Sequence, residues 1–275
     1  MNRSIFKASK EEQEEVIKKY QNGVSMRQIE KDLEINRSTI SRFLEINGIK
    51  TTKGNHYRIY YHNEDFFEKI DTDEKAYFLG WMFADGYIVD YSEKYGQDQF
   101  GISLAEQDIE LLENFKTAIN STNPIKIYDS RKLNEQKMAR LLMTSQKTVD
   151  DLIDKGCVKQ KTSILEPPKN LPREFYAAFT RGYFEGDGCI TSTLQGNYQN
   201  FHFQVVGTLE MMTWFQEIWG IGSVSKENRN EKVYYWRFGG NQQVNNFGQI
   251  IYDNPSYYLS RKKKKFDSLK EILGN

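Results

Sequence analysis

Two nine-residue stretches, FLGWMFADG at 78–86 and TRGYFEGDG at 180–188, align without a gap and constrain this chain more than any other feature. Each passes from a glycine through large apolar residues to a small residue, an aspartate and a second glycine in the closing positions. Asp85 and Asp187 lie 102 positions apart, a period that signals a duplicated half-domain rather than a short-repeat solenoid. The segments downstream of the two stretches recur in the same order. After Asp85 come YIVDY, QFGISLA, the amphipathic DIELLENFKTAI, PIKIYDS, KMARLLMTS and KTVDDLIDKG; after Asp187 come CITSTL, NFHFQVVG, LEMMTWFQEIWG, GSVSKEN, VYYWRFGG and QQVNNFGQIIYD. Ala105 and Gly207 each fall 20 positions past their aspartate. Lys161 lies 76 past Asp85, and Lys262 and Lys263 lie 75 and 76 past Asp187. The pattern predicts two α-β-β-α-β-β-α halves.

The aspartates stand at the electrostatically wrong end of their helices. A helix C-terminus carries partial negative charge, and an acid there costs roughly 0.3–1 kcal/mol at exposed sites. Residues Ala76 to Phe83 are apolar nearly all round, so this helix must be buried, most simply against its counterpart. Gly80 and Gly182 keep one face small, and Gly86 and Gly188 are expected to supply the permissive position past each helix end. Two such ends brought together place two carboxylates and two negative dipole ends in one spot. A buried like-charge pair takes up a proton or binds a cation. With no His or Cys beside them, these oxygens suit a hard divalent ion, Mg2+ for preference.

These residues resemble the LAGLIDADG homing endonucleases over residues 74–273. The resemblance implies an α+β single-chain pseudo-dimer, its motif helices packed at a pseudo-twofold axis, each half offering a curved four-stranded antiparallel sheet to DNA. It implies metal ligation by Asp85 and Asp187, with the backbone carbonyls of Ala84 and Gly186 as further ligand candidates. Mn2+ is expected to substitute for Mg2+, and Ca2+ to bind without supporting cleavage. Lys161 and Lys262 or Lys263 match basic positions lining such sites; which lysine of 262–265 enters is open. Gln204 matches a polar position near the scissile phosphate, with Ser103 as its first-half partner. The sixth motif position, often acidic in the family, is Phe83 in one half and Glu185 in the other. The implied activity is hydrolysis of both strands of a long, largely non-palindromic DNA site across the minor groove, by a monomer, leaving short 3′ overhangs. An RNA maturase acting on intron RNA and a catalytically silent DNA-binding regulator are the alternatives on the same fold.

Strand alternation separates core from surface. Phe100, Ile102 and Leu104, Ile125 and Ile127, Phe201, Phe203 and Val205, and Tyr234, Trp236 and Phe238 are expected to point inward. With the motif in place, Lys126, Tyr128, Arg140, Asn200, His202, Tyr235 and Arg237 become candidate DNA contacts.

Residues 1–50 read as three short helices with a tight second turn, Ser25 capping the second and Asn36 the third, and resemble a resolvase-type helix-turn-helix. Its third helix would offer Arg37, Ser38, Ser41 and Arg42 to a major groove; a three-helix protein-interaction bundle is the alternative. Residues 51–72 read as a basic, aromatic linker, and Lys50, Lys53 and Arg58 could track a phosphate backbone. The two halves are then 73–170 and 171–275. Charge is uneven: formal sums are +4 over 1–62, −6 over 63–170 and +2 over 171–275, although Lys+Arg and Asp+Glu both total 38. The absence of a signal-type apolar region and of any membrane-length apolar run leads to the expectation of a cytoplasmic protein without a membrane partner, an organellar origin staying open. Two cysteines build neither a disulfide framework nor a metal site.

Overall fold

In the computed structural model, the residues described are 3–21, 24, 26–49, 51, 60–90, 97–129, 137–159, 161–196, 198–228 and 230–273. The chain forms two compact units, Met1–Ile59 and Tyr60–Asn275.

The first unit holds α1 (Lys10–Gln21), α2 (Met26–Leu33) and α3 (Arg37–Ile46) around a small core of Ile5, Val16, Ile29, Ile35, Ile40, Phe43 and Leu44. The turn between α2 and α3 takes only three residues because Glu34 adopts a left-handed φ of 50°. Asn36 then caps α3 by accepting from the Ser38 amide at 2.9 Å. The Ser25 cap lies outside the described residues.

In the second unit the first half runs α4 (Asp73–Ala84), β1 (Gly86–Val89), β2 (Gln99–Ala105), α5 (Ile109–Ala118), β3 (Lys126–Asp129), β4 (Lys137–Thr144) and α6 (Gln146–Asp154). The second half repeats it: α7 (Tyr176–Asp187), β5 (Gly188–Gln195), β6 (Tyr198–Gly207), α8 (Leu209–Trp219), β7 (Ser223–Lys226), β8 (Tyr234–Gly239) and α9 (Asn241–Ile251). The sheets are antiparallel and share one strand order, β1-β2-β4-β3 and β5-β6-β8-β7. The period-2 faces fall as the alternation requires: Phe100, Ile102, Leu104, Ala139, Leu141 and Met143 are buried in one half, and Phe201, Phe203, Val205, Trp236 and Phe238 in the other.

Three expectations need correction. Ile127 is 50% exposed, because β3 is an edge strand with all four residues uncovered. Residues 61–70 are not linker: Phe66 and Phe67 are buried against Phe115, with Phe66 also against Phe78, so the second unit begins at Tyr60. The second half also has an element the repeat did not foresee, α10 (Ser260–Leu273), which carries the basic run 261–265. Its first-half counterpart is a single 3-10 turn, Lys161–Ser163.

α4 and α7 pack side by side in the same direction, and every residue from Ala76 to Ala84 is buried. A Cβ on Gly80 would collide with the Phe179 carbonyl oxygen and stand 2.8 Å from the Tyr183 amide; one on Gly182 would collide with the Tyr77 carbonyl oxygen. The two backbones therefore touch, as the paired glycines required. Further along, Gly186 lies against Ala84 and the Asp85 carboxylate. The helix ends meet.

Candidate active site

Asp85 is the C-cap of α4, its amide bonded to the Trp81 carbonyl at 3.0 Å, and Asp187 is the last residue of α7. A methyl group on Gly186 would stand 3.2 Å from Asp85 Oδ2, so that carboxylate presses on the end of the opposite helix. The glycines after each acid serve a different purpose from the one expected. Gly188 is extended (φ −117°, ψ 166°), and neither it nor Gly86 has positive φ. Both are needed because the chain turns straight from helix into strand: a Cβ on Gly86 would stand 2.7 Å from the Met82 carbonyl oxygen, and one on Gly188 2.6 Å from that of Phe184.

Electrostatics mark the pair. Burial first, and then repulsion from Asp85, pushes the Asp187 carboxyl from its ordinary 3.8 up to about 7. Asp85 is exposed, which departs from the expectation of a fully buried pair; desolvation of its carboxyl by the surrounding protein still raises its pKa, against the pull of Lys161 and Lys262. Two lysines bracket the acids. Lys161 Nζ donates to the Met82 carbonyl at 2.6 Å, and burial lowers its pKa. Lys262 is 6% exposed, donates to the Gly188 carbonyl and lies 5.4 Å from the Phe184 ring centroid. Lys263 points elsewhere, into an ion pair with Asp267 at 2.9 Å. Of the two lysines aligned with Lys161, Lys262 is the one whose charge reaches both acids. Lys265, also among the candidates 262–265, donates to the Ile190 carbonyl at 3.1 Å.

Two carboxylates, with the carbonyl-rich ends of two helices behind them, form a hard oxygen donor set. Among the described residues no group of three or more His, Cys, Asp and Glu gathers for a metal. The oxygens that are present suit a hard divalent cation.

A stability prediction arises here. The folded value of Asp187 lies above its ordinary one, so its contribution is full below about pH 4 and is lost as pH rises through about 7. Glu185, buried and raised to about 7, acts in the same direction. Asp187→Asn removes the first of these losses. The shift corresponds to at most about 4 kcal/mol, reduced to about 1–2 kcal/mol by partial exposure. In EDTA at pH 8 the variant is expected to melt a few degrees above wild type, with a smaller gap at pH 5. Calorimetry at both pH values checks this, and a lower melting temperature at pH 8 would contradict it.

The expected DNA-contacting side chains fall on the polar sheet faces. In the second half, ladder pairing sets Gln204 between Cys189 and Arg237, and a cleft on this face is lined by Thr191, His202, Gln204, Ser223 and Arg237. Asn200 pairs with Thr193, and Tyr235 with Val206, along the same face. In the first half Arg140 sits opposite Ser103 and Lys126, 5.4 Å from the Tyr128 ring centroid, and Ser103 Oγ is 2.7 Å from Tyr128 Oη. In the first unit Arg37, Ser38 and Arg42 are exposed on α3 and Ser41 is half-buried. Lys50, Lys53 and Arg58 lie outside the described residues.

Sequence reasoning passed over a buried polar network behind the acids. Glu185, fully buried, accepts from Tyr77 Oη at 2.5 Å, Tyr252 Oη at 2.8 Å and the Leu259 amide at 2.9 Å. Arg181, one turn earlier, donates to the carbonyls of Ile251 and Tyr257. The signal was available: an Arg and a Glu four apart on an otherwise buried helix demand partners.

Two repeated halves, two facing helices and two acids at their shared end define a fold class, that of the LAGLIDADG homing endonucleases. The family model described as LAGLIDADG endonuclease matches residues 181–273. Among solved structures, the chain resembles I-AabMI bound to uncleaved DNA (TM-score 0.53, 14% identity, 72% of this chain and 90% of that one). It also resembles I-GzeII in complex with its DNA target (0.52, 14%, 72% and 89%) and I-LtrWI bound to target DNA (0.51, 11%, 77% and 91%). No curated protein sequence gives a significant match.

Proposed function

We propose that this chain is a site-specific double-strand DNA endonuclease that hydrolyses phosphodiester bonds with divalent metal ions, Mg2+ by preference. The observation that carries the reading is the Asp85 carboxylate set against the end of the helix that closes on Asp187, with the charges of Lys161 and Lys262 acting on both acids. An acid pair at two helix C-termini is unfavourable in an empty protein and becomes favourable once a cation is bound there. Such an ion would activate water and stabilise the leaving 3′-oxygen. Asp85 and Asp187 hold it; the lysines offset charge on the phosphate and order solvent; Gln204, with Ser103 opposite in the fold, borders the scissile position. The polar faces of the two sheets, through Lys126, Tyr128, Arg140, Asn200, His202, Tyr235 and Arg237, read base edges, and the unlike side chains of the halves favour a non-palindromic site. The DNA-bound neighbours of the same fold support this assignment.

Selection for cleaved molecules from a randomised DNA library tests it. Recovery of one long, asymmetric site in Mg2+, with cutting abolished by EDTA and uncut complex retained in Ca2+, is the expected outcome. No enriched site, or cutting that survives EDTA, would overturn the reading.

The first unit is read as a helix-turn-helix that lengthens this site, with Arg37, Ser38, Ser41 and Arg42 toward bases and phosphates. Deleting residues 1–59 is expected to shorten the footprint and weaken binding about 10-fold or more at physiological salt. Footprinting of both forms decides; an unchanged footprint removes the helix-turn-helix role.

A further inference from the structure

The two site lysines are carried by unlike supports. Lys161 sits on the short 3-10 turn 161–163, whereas Lys262 sits in the first turn of α10. That first turn is gripped from three sides. The Leu259 amide donates to Glu185 Oε2 at 2.9 Å. The Ser260 amide and hydroxyl donate to the two oxygens of Glu110, at 2.7 and 2.9 Å. Arg261 forms a two-pronged pair with Asp108, a residue 5% exposed, its Nη2 2.6 Å from Oδ2. The Lys262 amide closes on the Leu259 carbonyl at 3.0 Å, so the gripped residues and the lysine share one turn. Glu110 and Asp108 belong to the first half and α10 to the second.

We infer that Glu110 and Asp108 of the first half, together with Glu185 of the second, form a latch that fixes the first turn of α10 and so positions Lys262 at the acid pair. This rests on the nuclease reading and adds to it a device for one lysine only. The latch also gives the unequal motifs a reason. Among the described residues the first half offers only the 3-10 turn 161–163 where the second has α10, and its sixth motif position is Phe83, packed edge-on against Phe179 at 5.2 Å. In the second half the same position is Glu185. These are positioning residues: they bond to the turn that carries Lys262, and their effect on the reaction runs through it.

Strand-resolved cleavage of the selected site tests the latch. Glu110→Ala is chosen because Glu110 is half-buried and lies outside both motif helices. It is expected to slow the same strand cut that Lys262→Met slows, by about 10-fold to 100-fold, so that nicked DNA accumulates. The other cut, the DNA affinity and the melting temperature should hold, and Glu110→Gln should restore most of the rate. Combining Glu110→Ala with Lys262→Met should slow that strand no further than Lys262→Met alone. Without any DNA, amide hydrogen exchange should rise at 259–263 in Glu110→Ala and stay unchanged in α4 and α7. Equal slowing of both strands, full additivity with Lys262→Met, or unaltered exchange at 259–263 would each overturn the latch. A wild-type chain that cuts no DNA overturns the nuclease reading and the latch's catalytic role together. Wild-type cutting with an unaltered strand bias in Glu110→Ala overturns the latch alone.

Discussion

Asp187→Asn and Asp85→Asn are each expected to abolish double-strand cleavage, by about 1,000-fold or more, while changing affinity for target DNA by no more than a few-fold. Asn keeps the size of the side chain and removes the charge, so neither helix end should move. The two acids close adjoining helix ends, and burial together with the charge of Asp85 pushes Asp187 up to about 7. A cation held between them therefore loses a ligand in either variant. The two variants should differ in apo stability but agree in lost cutting. Single-turnover cleavage with saturating enzyme separates this from a binding defect. Near-wild-type cutting by either variant in Mg2+ would show that the charge is not used.

Gly182→Val is expected to carry the largest cost in stability. The atom a Cβ would strike is the Tyr77 carbonyl oxygen, with the Trp81 amide 3.2 Å away, and both are backbone of α4. No rotamer change relieves such a collision; the helices must separate along the unit's central interface. Overpacking in a core costs about 1–3 kcal/mol when side chains can give way, and here about 3 kcal/mol or more is expected. Against a typical total of about 5–15 kcal/mol, that shifts a denaturation midpoint far down. Separation would also pull Asp85 from Asp187, so cleavage should fall with stability. A midpoint within experimental error of wild type would mean that the two backbones do not touch as described.

The duplicated motif is readable in the sequence because its reasons are local and periodic. Apolar residues all round α4 announce burial, paired glycines announce close approach, and the alternation in β2, β6 and β8 announces which face is core. The contacts that escape such reading join residues far apart in the chain. Arg261 to Asp108 and Ser260 to Glu110 span about 150 positions, and nothing in either segment names the other. The lysine run shows the same limit from the opposite side. Five consecutive basic residues read as one patch, yet helical geometry turns each by about 100° from the last. Arg261 therefore meets Asp108, Lys262 the Gly188 carbonyl, Lys263 Asp267 and Lys265 the Ile190 carbonyl. Only folding that run as a helix against β5 distinguishes them. Phe66 and Phe67 read as linker for a related reason: two aromatics between charged residues carry no period, and their burial against Phe115 arises from tertiary packing alone.

The proposed chemistry stands on Asp85 and Asp187 acting as one cation site at the junction of the halves. Anomalous diffraction from Mn2+ in crystals of the chain with its selected DNA puts this to the sharpest test. Metal density in contact with both carboxylates and with a DNA phosphate oxygen is the expected result. Ordered DNA with manganese bound elsewhere, and none against these two acids, would contradict it.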